Sequence, residues 1–89
     1  MRWRIEYTER AWKDLRRLER ATAQAVVVKI KHFVSQENLL RFAKKLKPPF
    51  DDLYQFRTGE YRAIFTISGK SKIKLLIILR VRHRKDSYR

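Results

Sequence analysis

The sequence predicts an α+β domain whose helices pack on one face of a largely antiparallel sheet. Three observations carry this: an opening stretch with a period of two, two stretches with apolar residues three and four apart, and a return to period two from Leu53 onward. The resulting order is an N-terminal strand, a two-helix hairpin, then three antiparallel strands. Eighty-nine residues suffice for one core and no more, so residues 1–89 are read as a single domain.

Trp3, Ile5 and Tyr7 alternate with Arg2, Arg4 and Glu6, the pattern of a strand with one face buried. Thr8 is placed to cap a helix whose apolar stripe is Ala11, Trp12, Leu15 and Leu18, with Glu9 near the positive end of the helix dipole. Its opposite face carries Arg10, Lys13, Arg17 and Arg20. A second start signal at Thr22 leads into Ala23, Val26, Val27, Ile30, Phe33 and Val34. Residues 36–52 are less regular, with Lys44, Lys45 and Lys47 followed by Pro48-Pro49, and read as a basic connection that can be partly helical. Leu53 to Arg57 and Tyr61 to Ile67 then read as strands joined around Thr58-Gly59. Ile73 to Leu79 reads as a third after the Ser68-Gly69-Lys70-Ser71 turn. The run from Leu75 to Leu79 is apolar on both faces, as a central strand requires, and the first strand is expected beside it. Residues 80–89 read as a polar tail dense in cations.

Twenty-three basic residues against nine acidic give a net charge of +14. A surplus of that size on so small a surface creates a strong positive field, and a polyanion is the expected partner. From Gly69 to the end, eight Lys and Arg oppose Asp86 alone, so half of the excess lies in the last quarter of the chain. Nucleic acid leads as partner, ahead of an acidic protein; no basic amphipathic anchor points to a membrane. The absence of cysteine excludes disulfides, thiolate nucleophiles and Cys-based zinc sites. No apolar stretch is long enough for a signal peptide or a span, and a cytoplasmic location is expected.

If Thr58-Gly59 is a two-residue loop, Arg57 faces Glu60, Phe56 faces Tyr61 and Gln55 faces Arg62. Tyr54, Phe56, Tyr61, Ala63 and Phe65 then share the side that meets the helices, and Gln55, Arg57, Glu60 and Arg62 share the other. An arginine pair on a helix-free face is either a surface ion pair with Glu60 or a phosphate site. The tail adds Arg82, His83, Arg84, Lys85 and Tyr88, which can return to that face. Arginine supplies bidentate phosphate contacts, His83 an acid–base side chain, and Tyr88 a phenol that can stack on a base or donate a proton. Cleaving RNA without a metal needs a base for the 2′-hydroxyl, a cation for the phosphorane-like transition state and an acid for the leaving oxygen. These residues could fill those roles on a single-stranded substrate. No Gly-rich phosphate loop, GxSxG, HExxH or pair of carboxylates in an evident acid–base arrangement is present. Asp51-Asp52 reads as a turn feature and His32 as a helix surface residue, so no metal or cofactor is expected.

Three segments in order resemble the RelE/ParE toxin superfamily over nearly the whole chain. They are Lys44-Lys45-Leu46-Lys47, then Leu53-Tyr54-Gln55-Phe56-Arg57-Thr58-Gly59-Glu60-Tyr61-Arg62-Ala63-Ile64-Phe65, then Val81 through Arg89 with His83-Arg84 and Tyr88-Arg89. The resemblance implies a RelE-like toxin of a type II toxin–antitoxin pair, a ribosome-dependent endoribonuclease that cuts messenger RNA in the A site by 2′-hydroxyl attack. By position it implies that Arg62 and Arg84 stabilise the scissile phosphate, that Tyr88 stacks on or helps activate the nucleotide, and that His83 serves as acid or base. Arg57, Lys44, Lys45, Lys47, Arg82 and Lys85 would bind RNA. It also implies a RelB-like antitoxin whose acidic or amphipathic segment wraps the domain.

The chain departs from ribosome-dependent members that carry lysines before the hairpin: Leu53 and Gln55 stand there. Two other readings therefore stay open, a ParE-like inhibitor of DNA gyrase without nuclease activity and a non-catalytic basic nucleic-acid-binding module.

Overall fold

The computed structural model describes residues 3–36, 38–41, 43–69 and 74–86. The expectations placed on Arg2, Phe42, Lys70, Ser71, Ile73, Ser87, Tyr88 and Arg89 lie outside the described residues.

The period-two opening becomes strand β1 (Trp3–Tyr7), in which half-buried Trp3, Ile5 and Tyr7 alternate with exposed Arg4 and Glu6. Thr8 ends it and caps helix α1 (Glu9–Arg16), its hydroxyl accepting from the Ala11 N–H at 3.1 Å. The same hydroxyl donates to the Leu79 carbonyl at 2.9 Å, so one side chain ties the helix start to the sheet. Losing both bonds in Thr8→Ala is expected to cost about 1–2 kcal/mol and to lower the melting temperature by roughly 5–10 °C. Thermal unfolding checks this; an unchanged midpoint would mean that the cap is satisfied by other means.

Helix α2 runs Arg20–Val34. It begins two residues before the expected start at Thr22, because Glu19 serves as N-cap through its backbone, its carbonyl accepting from Ala23 at 2.8 Å. Ala11 and Leu15 of α1 and Val26, Ile30 and Val34 of α2 are buried, as their spacing requires.

The sheet has five strands in the order β1-β5-β4-β3-β2: β2 (Lys44–Lys45), β3 (Tyr54–Thr58), β4 (Tyr61–Ser68) and β5 (Lys74–His83) complete it. A parallel β1/β5 pair closes one side, and the other pairs are antiparallel. The α+β expectation, with β1 beside the central strand, describes this arrangement. Helix α1 lies over β5 and α2 over β3.

Three expectations are corrected. The basic connection, besides a short 3-10 turn at Leu39–Arg41, contributes the edge strand β2, because Lys44 and Lys45 find the open ladder of β3. The last strand does not stop at Leu79: β5 continues to His83, and the chain then makes a 3-10 turn over Arg84–Asp86. The charged stretch stays in the sheet because β4 supplies its ladder on one side, while half-buried Arg80 and Arg82 lay aliphatic stems along the surface. The third correction is the hairpin register, given with the site.

A β-bulge makes this extension productive. Ile64 pairs with Arg80 and Phe65 with Ile78, leaving Leu79 as the extra residue. The core-facing set on β5 thereby switches from Leu76 and Ile78 to Val81. Without the bulge, Arg80 and Arg82 would continue the core face. Phe56, Phe65, Ile30, Leu39, Leu76 and Ile78 are the largest fully buried side chains of the core under the helices.

Candidate functional site

The site starts from a glycine. In a two-residue hairpin loop the first loop residue takes a positive φ, which a β-branched threonine resists. The loop is accordingly Gly59-Glu60, with Gly59 at φ 67° and Thr58 paired to Tyr61. A Cβ at Gly59 would meet nothing within 4 Å, so the backbone angle alone demands glycine there. The expected partners are thus each moved along: Arg57 pairs with Arg62, Phe56 with Ala63 and Gln55 with Ile64. The shift preserves the parity of both strands, so the expected division of faces survives.

Arg62 also pairs with Arg82 of β5. Arg57, Arg62 and Arg82 therefore occupy one row across three adjacent strands on the helix-free face. Lys44 pairs with Gln55 and joins this face at the sheet edge, whereas Lys45 pairs with Tyr54 and takes the other side. Lys47 is exposed in the connection beyond β2, and Lys85 is exposed in the last 3-10 turn.

His83 does not join the arginine row. It pairs with Tyr61, whose ring packs against the core, and meets that ring edge-on at 5.2 Å. Its Nδ1 accepts the Lys85 N–H at 3.1 Å, so a neutral imidazole carries its proton on Nε2, 4.0 Å from Glu60 Oε1. Exposed Arg84 places its Nε 4.0 Å from the same carboxylate, and its backbone N–H donates to the Glu60 carbonyl at 2.8 Å. These bonds join the strand end to the hairpin loop. Tyr88 lies outside the described residues. Among the described residues, no group of three His, Cys, Asp or Glu could hold a metal ion.

Asp14 was not among the sequence candidates. Beyond Ile78, β5 has no β1 partner, and α1 stands in for it. Asp14 Oδ2 accepts the Val81 N–H at 2.9 Å and Arg80 Nε at 2.8 Å, while Oδ1 accepts Arg80 Nη2 at 3.2 Å. Its position within the stripe 11-14-15-18 was the available signal, since a carboxylate on a buried stripe must find donors. Burial pushes the Asp14 carboxyl up. The bonds from Arg80 and Val81 and the charges of Arg80 and Arg82 outweigh this, and the net direction is down from 3.8. A depressed folded value means stabilisation that is fully present above 3.8 and is lost as pH falls from there through the folded value. The stability gap between the wild type and Asp14→Asn is expected to be constant at neutral pH and to shrink in acid. Urea unfolding across pH tests this, and a gap that does not change with pH would refute it.

The model of the ParE toxin of type II toxin–antitoxin systems, parDE, matches residues 5–88. The chain belongs to this family. The ParE-family toxin thus lies within the RelE/ParE superfamily, and its fold agrees. A chain of the RelBE2 toxin–antitoxin complex from Mycobacterium tuberculosis superposes with TM-score 0.74 at 28% identity, covering 94% of this toxin and 100% of that chain. A chain of the archaeal RelE–RelB complex from Pyrococcus horikoshii gives TM-score 0.69 at 26% identity, covering 98% of the toxin and 100% of that chain. The YoeB/ParE toxin from Agrobacterium tumefaciens shares the fold, with TM-score 0.68 at 22% identity over 93% of this toxin and 98% of that chain. No functionally curated protein matches the toxin's sequence. Among its described residues, no helix is long and apolar enough to cross a membrane.

Proposed function

We propose that the toxin is an endoribonuclease that cuts messenger RNA on the ribosome, by attack of a 2′-oxygen on the neighbouring phosphorus. The observation that carries this reading is the row Arg57, Arg62 and Arg82 on the helix-free face. Three arginines at paired positions repel one another, and an RNA phosphate both relieves that repulsion and accepts their forked donors. As the 2′-oxygen–phosphorus bond forms, the pentacovalent phosphorus gathers negative charge, and Arg62, flanked on both sides, is the cation nearest the middle of the row. Arg84 approaches from the end of β5. The phosphorus–5′-oxygen bond breaks as the 2′-oxygen–phosphorus bond forms, with water taking the 2′-hydroxyl proton and returning one to the leaving oxygen, because His83 lies on the face opposite the arginine row. Tyr88 is assigned to the nucleotide base as stacking partner or activator.

A type II toxin needs a neutralising partner, and we assign this one a RelB-type antitoxin. The apolar groove of about 620 Å³ between α1 and α2 supports this assignment. Exposed Trp12 and Val28 line it with Leu18 and Val27, and Arg16 and Arg20 stand at its rim. An amphipathic helix with acidic flanks matches that pattern. The similar chains from Mycobacterium tuberculosis and Pyrococcus horikoshii belong to toxin–antitoxin complexes.

The second reading, inhibition of DNA gyrase, is favoured by the ParE family match and by Leu53 and Gln55 standing where ribosome-dependent relatives carry lysines. Primer extension on cellular messenger RNA after brief induction separates the two. Cuts within translated frames that vanish in an Arg84→Ala, Tyr88→Phe double variant are expected. Intact messages during growth arrest, with cleaved DNA–gyrase complexes accumulating, would select the gyrase reading.

A further inference from the structure

The arginine row does not end at Arg82. Beside it, where β5 runs past the last residue of β1, lies a groove of about 370 Å³ at the turn following α1. Arg17 and Leu18 form one wall, and Arg82, His83 and Tyr61 form the other. Arg80 also lines it, but its guanidinium is turned to Asp14 by two hydrogen bonds, so the Asp14–Arg80 pair acts as a side wall of low net charge. Arg17, exposed at the end of α1, and half-buried Arg82 also line the groove. The edge-on rings of Tyr61 and His83, with Leu18, add apolar surface to a lining that is polar in its larger part.

Its volume lies near the lower end of the ~300–1,000 Å³ range of small-ligand sites. That suits one nucleotide and is small for a peptide helix. Arginines and rings lining one groove are the composition of a single-strand subsite, where arginine holds the backbone and aromatic faces or edges receive the base. The groove shares Arg82 with the arginine row, which makes the two a continuous track around the open edge of β5.

Resting on the RNA-cleaving reading, we propose that this groove binds the nucleotide adjacent to the scissile phosphate, its phosphate between Arg17 and Arg82 and its base against Tyr61, His83 and Leu18. The helix-free face holds the reacting phosphate, and the groove fixes the register of the strand across it. Arg17 is then a binding residue for RNA although it lies on a helix and outside the family-like motifs.

The test is a fluorescence-anisotropy titration of the full-length toxin with a labelled single-stranded RNA nonamer whose riboses carry 2′-O-methyl groups and so resist cleavage. Arg17→Ala, Arg62→Ala and Arg10→Ala are compared; Arg10 is an exposed residue of α1 outside the groove and controls for the lost charge. Arg17→Ala is expected to weaken binding about tenfold and to reduce the slope of log affinity against log salt by about 0.7, the effect of one single-strand phosphate contact. Arg10→Ala should change affinity less than about twofold, the general-field effect of one distant charge. If Arg17→Ala behaves like Arg10→Ala while Arg62→Ala weakens binding, the groove proposal fails and the RNA reading stands. If Arg62→Ala also binds normally, the RNA reading itself fails. If Arg17→Ala keeps its RNA affinity but escapes antitoxin neutralisation, the groove belongs to an acidic peptide and the proposal is overturned.

Discussion

Arg62→Ala is expected to abolish messenger cleavage while leaving the domain folded. Arg62 pairs with Arg57 on one side and Arg82 on the other. Like charges directly opposite across strands destabilise a sheet by about 0.2–1 kcal/mol per pair, so removing the middle charge relieves two such pairs and offsets part of what the contacts of Arg62 contribute. The same removal takes a cation from the developing phosphorane, and loss of one preorganised charge-stabilising donor typically costs about 10²–10³-fold in rate. Activity should therefore fall far more than stability does. Arg62→Lys keeps the charge but not the planar fork, and an intermediate rate is expected of it. Growth arrest and cleavage after induction, together with thermal unfolding, check all three statements. A well-expressed Arg62→Ala chain that arrests growth like the wild type would rule out this role for Arg62.

Phe56→Ala should have the largest effect on the fold. Phe56 is fully buried and stacks between Phe33, at 4.7 Å with an 8° interplanar angle, and Phe65, at 4.4 Å and 17°. Truncating a buried phenylalanine costs about 3–5 kcal/mol, a large share of the roughly 5–15 kcal/mol that stabilises a domain. A fall in melting temperature on the order of 20 °C is the expected result, with Phe56→Leu well short of it. The consequence reaches the site, because Phe56 lies between Gln55 and Arg57 on β3. The inward ring anchors the strand that presents Arg57 outward. A loss of under about 5 °C would mean that the three-ring stack contributes little, against the burial argument.

Much of this was legible in the residues themselves. Period-two and period-three-to-four patterns identified β1, both helices and the strands around the hairpin, because burial of one face imposes that spacing on each element separately. The Thr8 cap was legible for the same reason: it acts within three residues. Parity did the same for Arg57 and Arg62, which fall on the helix-free face under either hairpin register. Sequence spacing did not show the bulge at Leu79, which reverses parity and turns Arg82 into line with Arg62. It did not show the edge strand at Lys44 and Lys45 either, since a two-residue strand has no period.

By itself, then, the sequence determined the fold class, the faces of its local elements and the excess of positive charge, each of which depends on neighbours a few residues apart. Only the tertiary structure decided which cations stand together. His83 and Arg82 are adjacent in sequence but lie on opposite faces, and Asp14 reaches Arg80 across 66 residues. Such contacts are set by strand register and by the unpaired edge of β5. Those depend on how every element packs at once, and no local spacing carries that information.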